Sequence, residues 1–550
     1  MTNSPIIQEA ADISVPSVPE VAVVPTVGRI ARSTALVMVL FSLAKLISLV
    51  QKQIILNRFG VGAEWDTFVA ANQVPEQVVS LIAGGALTYA FIPVFGGLLT
   101  RANGSKTAED RAAVWKLASN VWNTVLATAL CMAMIIFIAA PWLVAHVVAP
   151  GFDAESAAQT VGLMRILVFS LLIFSVSGLT VGILQSHQRF VLPALAAIVY
   201  DFGVLFGAIV LTRRFGVYGI AYGAVIGAAG HFLIQVPGLI ACRARWRPLL
   251  DWRDSDLRRV IKLMIPRAIG LGLLNVNLLI AINLASNLGA GAPSAYSWGW
   301  GLMQLPETLI GTAMGVVIFP TLATLSAAND LAGKRKALSG AWRFILIGAI
   351  PSAVLMVVAG RQLLSLLQGG AFDAAGVDAI YSTLIVFAPG LIAHSSVEVV
   401  ARSFYADKDT VTPLYVAMLS AAINFGLALL FLQPFGVAGL AAANTIAVTT
   451  EVAVLIVILH RRWEGLDDRA MLLTAGKAII ASVVMGVAVA GFFALLGTHG
   501  PLWLRDVLAL GIGAVIFVAM ALLLRIHEVS DFIRMVTRRR GNKAVADVAE

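Results

Sequence analysis

Four cationic side chains, Lys45, Lys52, Arg165 and Arg267, stand inside stretches of chain that are otherwise apolar. A charge at the centre of a bilayer costs about 2.5–3.5 kcal/mol on insertion scales, so each of them needs a partner or a wet cavity. Lys45 and Lys52 are seven residues apart, close to two helical turns, and so share one helix face, with Ser48 and Gln51 between them. Polar and acidic groups recur within or near the apolar spans: Gln73 and Glu76, Gln304 and Glu307, and Asp201. A cationic site framed by a few acids suits an anionic ligand, such as a phosphate or pyrophosphate headgroup held by point charges. Structural roles compete with this reading. Arg165 and Asp201 are as readily an ion pair, the lysines can snorkel toward an interface, and His231, Glu398 and Glu451 are expected to be buried in helix-helix hydrogen bonds.

The surrounding composition fixes the class. The chain has 550 residues, 59% hydrophobic and 13% charged, with a mean hydropathy of +0.89, which leaves too little polar surface to coat a soluble globule. Apolar segments of about 20 residues or more, enough to cross a hydrocarbon core of ~30 Å, recur from Ile30 to Leu524. The expectation is therefore an all-α polytopic membrane protein of about fourteen transmembrane helices. Cys131 and Cys242 give neither a disulfide framework nor metal-ligand spacing, and there is no GxxxxGK[ST] phosphate loop. Neither an enzyme nor a metal or other cofactor is expected. Uphill work would have to draw on a coupling ion or the membrane potential, which supplies about 2.3 kcal/mol per charge per 100 mV.

Helices are expected at 31–57, 66–100, 113–147, 157–186, 191–212 and 217–241, then at 260–287, 294–327, 340–367, 379–405, 412–432, 437–460, 470–496 and 503–525. Prolines interrupt several of them, Pro75 and Pro93 in the second, Pro266 in the seventh, Pro306 and Pro320 in the eighth; freed carbonyls of this kind are tolerated beside neighbouring helices or cavity water. Most of the 39 Lys and Arg residues fall on the side that holds both termini, while the other side has only Arg58, Arg213, Arg214, Arg361 and Arg505. That bias places both termini in the cytoplasm and accounts for the net charge of +9 without nucleic-acid binding.

The chain also repeats itself. Gln73-Val74-Pro75-Glu76 recurs as Gln304-Leu305-Pro306-Glu307, and the FGVYGIA of 215–221 as the FGVAGLA of 435–441. The copies are six helices apart and hence parallel, which suits two lobes rocking about a shared cavity. The expected organisation is a disordered cytoplasmic tail at 1–28, an N-lobe at 29–242, a basic interfacial elbow at 243–259, a C-lobe at 260–462, a further helix pair at 463–525 and a basic tail at 526–550.

Several stretches, in their order and spacing, resemble the MurJ (MviN) lipid II flippases of the multidrug/oligosaccharidyl-lipid/polysaccharide exporter superfamily. They include RFGVGAEWDTFVAANQVP from Arg58, GGALTYAFIPVF, APGF at 149–152, ILQSHQRFVLPALA at 183–196, QLPETLIGTAMGVVIFPTL at 304–322, QGGAFD at 368–373 and EVVARSFYADKDTVTP at 398–413. The resemblance implies two six-helix lobes plus a final pair that grooves the lipid tail. It also implies movement of an undecaprenyl-pyrophosphate-linked peptidoglycan precursor between leaflets by alternating access, with membrane lipids as the other partners. Substrate contact is then expected from Lys45, Lys52, Arg165, Arg267, Gln51, Asp66, Glu76, Gln304 and Glu307. The chain departs from the family pattern at Gln51-Lys52, at Val79 and Ser80, and at Gly301, where family members carry arginines. Flippases for other polyprenyl-linked oligosaccharides, ion-coupled exporters of small molecules, and a non-transporting member acting by assembly are the alternative readings.

Overall fold

A computed structural model describes the backbone of residues 27–82, 85–105, 107–496 and 501–530, and their side chains apart from those at 27–39, 41–42, 85–89, 266–275 and 496. Most of the two expected tails lies outside the described residues. In lipid each backbone N–H and C=O must find its partner within the chain, and a helix does so locally. Accordingly, the described residues are helical apart from short connections and one isolated bridge between Gly369 and Phe372.

The first lobe comprises α1 (Val27–Phe59), α2 (Ala63–Ile82), α3 (Gly85–Ser105), α4 (Ala108–Val148), α5 (Ala154–Ser186), α6 (Val191–Phe215) and α7 (Tyr218–Ala241). The second comprises α8 (Ser255–Ala285), α9 (Ala292–Ala327), α10 (Leu331–Ser365), α11 (Ala374–Ala406) and α12 (Val411–Arg462), followed by α13 (Asp468–Leu496) and α14 (Leu502–Leu523). Among the described residues ten helices are long and apolar enough to cross a bilayer. Counting α12 twice, and adding α1, α8 and the α2/α3 pair, is consistent with fourteen crossings.

The second expected helix is described as α2 and α3, on either side of residues 83–84. The eleventh and twelfth expected helices meet end to end within α12 at Gly436, whose φ of 55° and ψ of −134° break the helical path between them. Several helices begin earlier than expected, and local capping shows why. The seventh starts five residues early, because Asp254 accepts from the backbone N–H groups of Asp256 (2.9 Å) and Leu257 (3.1 Å) and so caps α8.

The internal repeat is visible in the backbone as well as in the letters. Gly216, between α6 and α7, has φ 55° and ψ −139°, nearly the values of Gly436, so the two FGV turns reverse direction by the same left-handed step. The α6–α7 crossing that follows the first turn is built from glycine on both sides. A Cβ added at Gly203 would stand 2.2 Å from the Cα of Gly227, and one at Gly207 would stand 2.7 Å from the Cα of Gly223. Small residues let the two backbones touch, which matters in lipid, where packing must do the work that water exclusion does elsewhere.

At the basic end of the second lobe, polar side chains knit the short α11–α12 connection. Asp407 accepts from Ser326 (2.6 Å), the Lys334 ammonium (2.8 Å) and Trp463 Nε1 (2.9 Å), and Asp409 pairs with Arg462 at 2.5 Å. Burial opposes the charge on Asp409, but hydrogen bonds from Thr412 and from the Arg462 guanidinium outweigh it and hold the carboxyl at about 2, below the usual carboxylate range. A depressed native pKa means that the contribution to stability is full above the unfolded value near 4 and is lost as pH falls through about 2. Thermal melts in detergent should therefore show Asp409→Asn less stable than the parent protein at pH 7. The gap should close when both are scanned downward from pH 4.

Candidate functional site

Helix α1 presents Lys45, exposed, and Lys52, half-buried, on one face, as their spacing requires. The element opposite them in the same lobe is α6, which packs along α1 and carries Asp201. Lys45, Lys52 and Asp201 interact electrostatically with one another. Lys52 also reaches toward the other lobe: its Nζ stands 4.0 Å from where a Cβ on Gly301 of α9 would be. Two positive charges and one negative therefore meet where α1, α6 and α9 face each other. The absence of a side chain at Gly301 leaves the ammonium of Lys52 free to point between the lobes.

A second polar group lies on the C-lobe wall. After Pro306 the helix widens into a π-turn at Thr308–Thr312, and the Thr308 hydroxyl donates to the Gln304 carbonyl (2.9 Å). The side chain of Gln304 itself is exposed. Glu307 accepts from Thr312 (3.2 Å) and lies within electrostatic reach of Glu398 and Arg402, which pair with each other at 2.5 Å along α11. Glu76, at the equivalent place in the first repeat, accepts from Asn72 (2.6 Å) and interacts with Tyr200, the neighbour of Asp201.

Asp66 does something different from its neighbours. It is buried, and it accepts from the backbone N–H groups of Gly291 (2.5 Å) and Ser294 (2.8 Å) and from the Ser294 hydroxyl. Those donors open α9, whose own N-cap position, Gly291, has no side chain with which to cap it. The carboxylate of one lobe thus caps a helix of the other, where the N-terminal partial charge favours an anion. Further bonds join the lobes at the same end. Ala371 N–H donates to the Asn57 carbonyl (2.7 Å), Gln53 Nε2 to the Leu367 carbonyl (2.9 Å), Asn283 Nδ2 to the Val147 carbonyl (2.8 Å), and Gly151 N–H to the Ser286 hydroxyl (3.1 Å). Close backbone approach demands glycine here: a Cβ on Gly60 would lie 2.3 Å from the Ala371 carbonyl oxygen, and one on Gly151 2.4 Å from that of Ser286. These contacts lie at the end poor in lysine and arginine, where they hold the lobes together.

Arg165 stands apart from this arrangement. Its Nε donates to the Phe137 carbonyl (3.2 Å) and its guanidinium lies 5.0 Å from the Phe137 ring centre, so it is tied to α4, while Asp201, its expected partner, faces the lysines. The side-chain amide oxygen of Gln51, Oε1, is buried without a hydrogen-bond donor among the described residues. The side chain of Arg267 lies outside the described residues. His231 meets its expectation, bonding Ser177 across α5 and α7 at 2.7 Å, whereas Glu398 finds its partner within its own helix. Sequence reasoning assigned no role to Asn57, Gly151, Ser286 or Ala371. The only signal was for Gly151 and Ala371, which stand in APGF and QGGAFD among the stretches carrying the family resemblance.

Known proteins of the same build can now be set beside this geometry. A solved structure titled "Lipid II flippase MurJ, inward closed conformation" superposes with a TM-score of 0.73 over 88% of this chain and 99% of its own, at 20% identity, and a multidrug resistance MATE family transporter in its inward-facing conformation with 0.62 over 77% and 94%, at 15% identity. At these identities the likeness is one of fold. In sequence, "Lipid II flippase MurJ" of Burkholderia cenocepacia is 27% identical over 385 residues, covering 68% of this chain and 73% of that protein. "Probable lipid II flippase MurJ" of Haemophilus influenzae is 27% identical over 461 residues, covering 81% and 89%. The family model described as "Lipid II flippase MurJ" matches residues 55–504, from the end of α1 to the start of α14. Matched over most of its length in sequence and in fold, this multi-pass membrane protein belongs to the MurJ lipid II flippase family.

Proposed function

We propose that this protein carries lipid II, the undecaprenyl-pyrophosphate-linked peptidoglycan precursor, from the inner to the outer leaflet of the cytoplasmic membrane by alternating access, and so serves cell-wall biogenesis and cell shape. The observation that carries the reading is the convergence of Lys45, Lys52 and Asp201 opposite Gly301 of the other lobe, beneath an end closed by Asp66. Point charges on flexible stems suit a pyrophosphate that must be gripped and then released, because an ammonium holds phosphate without a fixed fork. With both termini cytoplasmic, the closed end faces outward, and the headgroup enters from the basic side while the prenyl chain stays in lipid. Substrate contact falls to Lys52 and Lys45 first, with Glu76, Gln304 and Glu307 on the walls and Asp66 acting on the lobes' closure. Arg165 and Gln51 act through packing, and Arg267 completes the cationic set.

Two intramembrane lysines bring charge that has to reset after each transfer. The membrane potential or a coupling ion is the source of free energy available to a chain of this kind. The test is growth of a cell depleted of its own lipid II flippase. Expression of this chain should restore it, together with outer-leaflet display of lipid II. A stably inserted protein that fails to do so would move the assignment to another polyprenyl-linked oligosaccharide, for which the glycine at 301 and the neutral residues Val79 and Ser80 would then be the reason.

A further inference from the structure

The segment joining the lobes is held against α4 by a set of bonds that the transport reading does not use. Asn123 Nδ2 donates to the carbonyls of Arg247 and Leu249 (both 2.8 Å). Asn120 exchanges two bonds with the backbone of Asp251 (2.9 and 2.8 Å), and Trp246 Nε1 donates to Asn123 Oδ1 (2.9 Å). Beneath this strap a cleft of about 190 Å³ opens, walled by Trp115 and Trp122 of α4, Ile183 of α5, Leu239 of α7, and Arg245 and Trp246 of the strap. It shares no residue with the α1, α6 and α9 site.

Its chemistry is divided along its length. The inner wall is aromatic and aliphatic, and Trp246 closes the outer side while remaining 60% exposed. The outer side is cationic: Arg245 lines the cleft, Arg243 and Arg247 flank it along the strap, all three are exposed, and among the described residues none lies within ion-pair distance of a carboxylate. The acids of the strap face Lys116 rather than the arginines: its ammonium stands 3.2 Å from Asp254 and 3.8 Å from Asp251. Arg189, from the α5–α6 turn, lies within electrostatic reach of Cys242, just ahead of the strap. Tryptophan and arginine at the end of membrane helices mark the depth of lipid headgroups. A slot of this size takes an acyl chain rather than a folded partner.

We propose that this cleft is a binding site for an anionic phospholipid, its phosphate on Arg245 and Arg247 and one acyl chain along Trp115, Trp122 and Trp246. The side chains of Asn120 and Asn123 on α4 fix the backbone of the strap, and with it the wall that carries Arg245 and Trp246. A lipid seated there spans the N-lobe and the segment that leads to α8.

The protein, reconstituted in phosphatidylcholine bilayers, would be titrated with phosphatidylglycerol brominated on its acyl chains and, separately, with brominated phosphatidylcholine. Tryptophan fluorescence is read, and the cleft's share of the signal from the eleven tryptophans is taken as the difference between the parent and Trp246→Phe. Stronger quenching by the phosphatidylglycerol is expected in the parent. In Arg245→Gln the half-quenching mole fraction should rise about fivefold, the scale of one basic residue at an anionic surface, with Arg245→Lys close to the parent. Equal quenching by both lipids, or selectivity unchanged in Arg245→Gln, would overturn the proposal. Because no lipid II is present, the outcome is independent of the cargo assignment.

Discussion

Lys52→Ala should abolish rescue of a flippase-depleted cell while leaving the protein in the membrane at parental levels. Removing one charge-assisted contact to a pyrophosphate costs about 1.5–3 kcal/mol, roughly 10- to 150-fold in affinity. The loss is at its greatest at Lys52, because its ammonium alone of the described cations stands against both Asp201 and the opposing lobe at Gly301. Truncation would also leave Asp201 with only Lys45 to balance it. Lys52→Arg keeps the charge and should retain part of the activity, since the missing side chain at Gly301 leaves room for a wider head. Lys45→Ala, further from the facing lobe, should be milder. Purified protein with labelled lipid II separates the causes: binding should weaken in Lys52→Ala and hold in Arg165→Ala, whose guanidinium is occupied with the Phe137 carbonyl and ring. Wild-type rescue by Lys52→Ala would remove this residue from the site and leave the pyrophosphate reading without its main support.

Asp66→Ala should open the closed end. The substitution strips the cap from α9 and leaves the Gly291 and Ser294 N–H groups and the Ser294 hydroxyl without their acceptor. Buried hydrogen bonds to a charged group, at the positive end of a helix, are together worth about 2–3 kcal/mol here. All of that acts on one conformation, because the donor and acceptor belong to different lobes and part when the end opens. A differential of that size moves a two-state equilibrium roughly 30- to 150-fold. The measurement is labelling by an impermeant maleimide, applied from the outer face, of Ser48→Cys between the two lysines, in a protein whose Cys131 and Cys242 are serine. The parent should be protected, Asp66→Ala labelled rapidly, and Asp66→Asn intermediate because it keeps one acceptor oxygen. Equal labelling of all three would mean that the remaining bonds, from Asn57 and Ala371 to Gly151 and Ser286, hold the end shut by themselves.

The two expected effects differ in how far the sequence alone could lead to them. Lys52 was legible because a cation in an apolar run is costly wherever the helix packs, and the seven-residue spacing to Lys45 sets both on one face before any partner is known. Asp66 was named from the family resemblance, but its role was not. The donors it meets lie 225 and 228 residues away, in a helix start that contains glycine where a local cap would stand.

What the sequence by itself determined is what depends on near neighbours: the membrane class, the helices and their prolines, the depth of the charges, and the repeat that places matching glycine turns at Gly216 and Gly436. What only the tertiary structure decided is which charges meet. Hydropathy and periodicity fix depth and face, whereas the partner depends on how each helix is rotated and how the lobes dock. Arg165 was therefore free to turn to the Phe137 carbonyl, and Asp201 to the lysines of α1. The closing of one end by Asp66 likewise follows from the docking of two lobes, a relation that no stretch of either lobe contains.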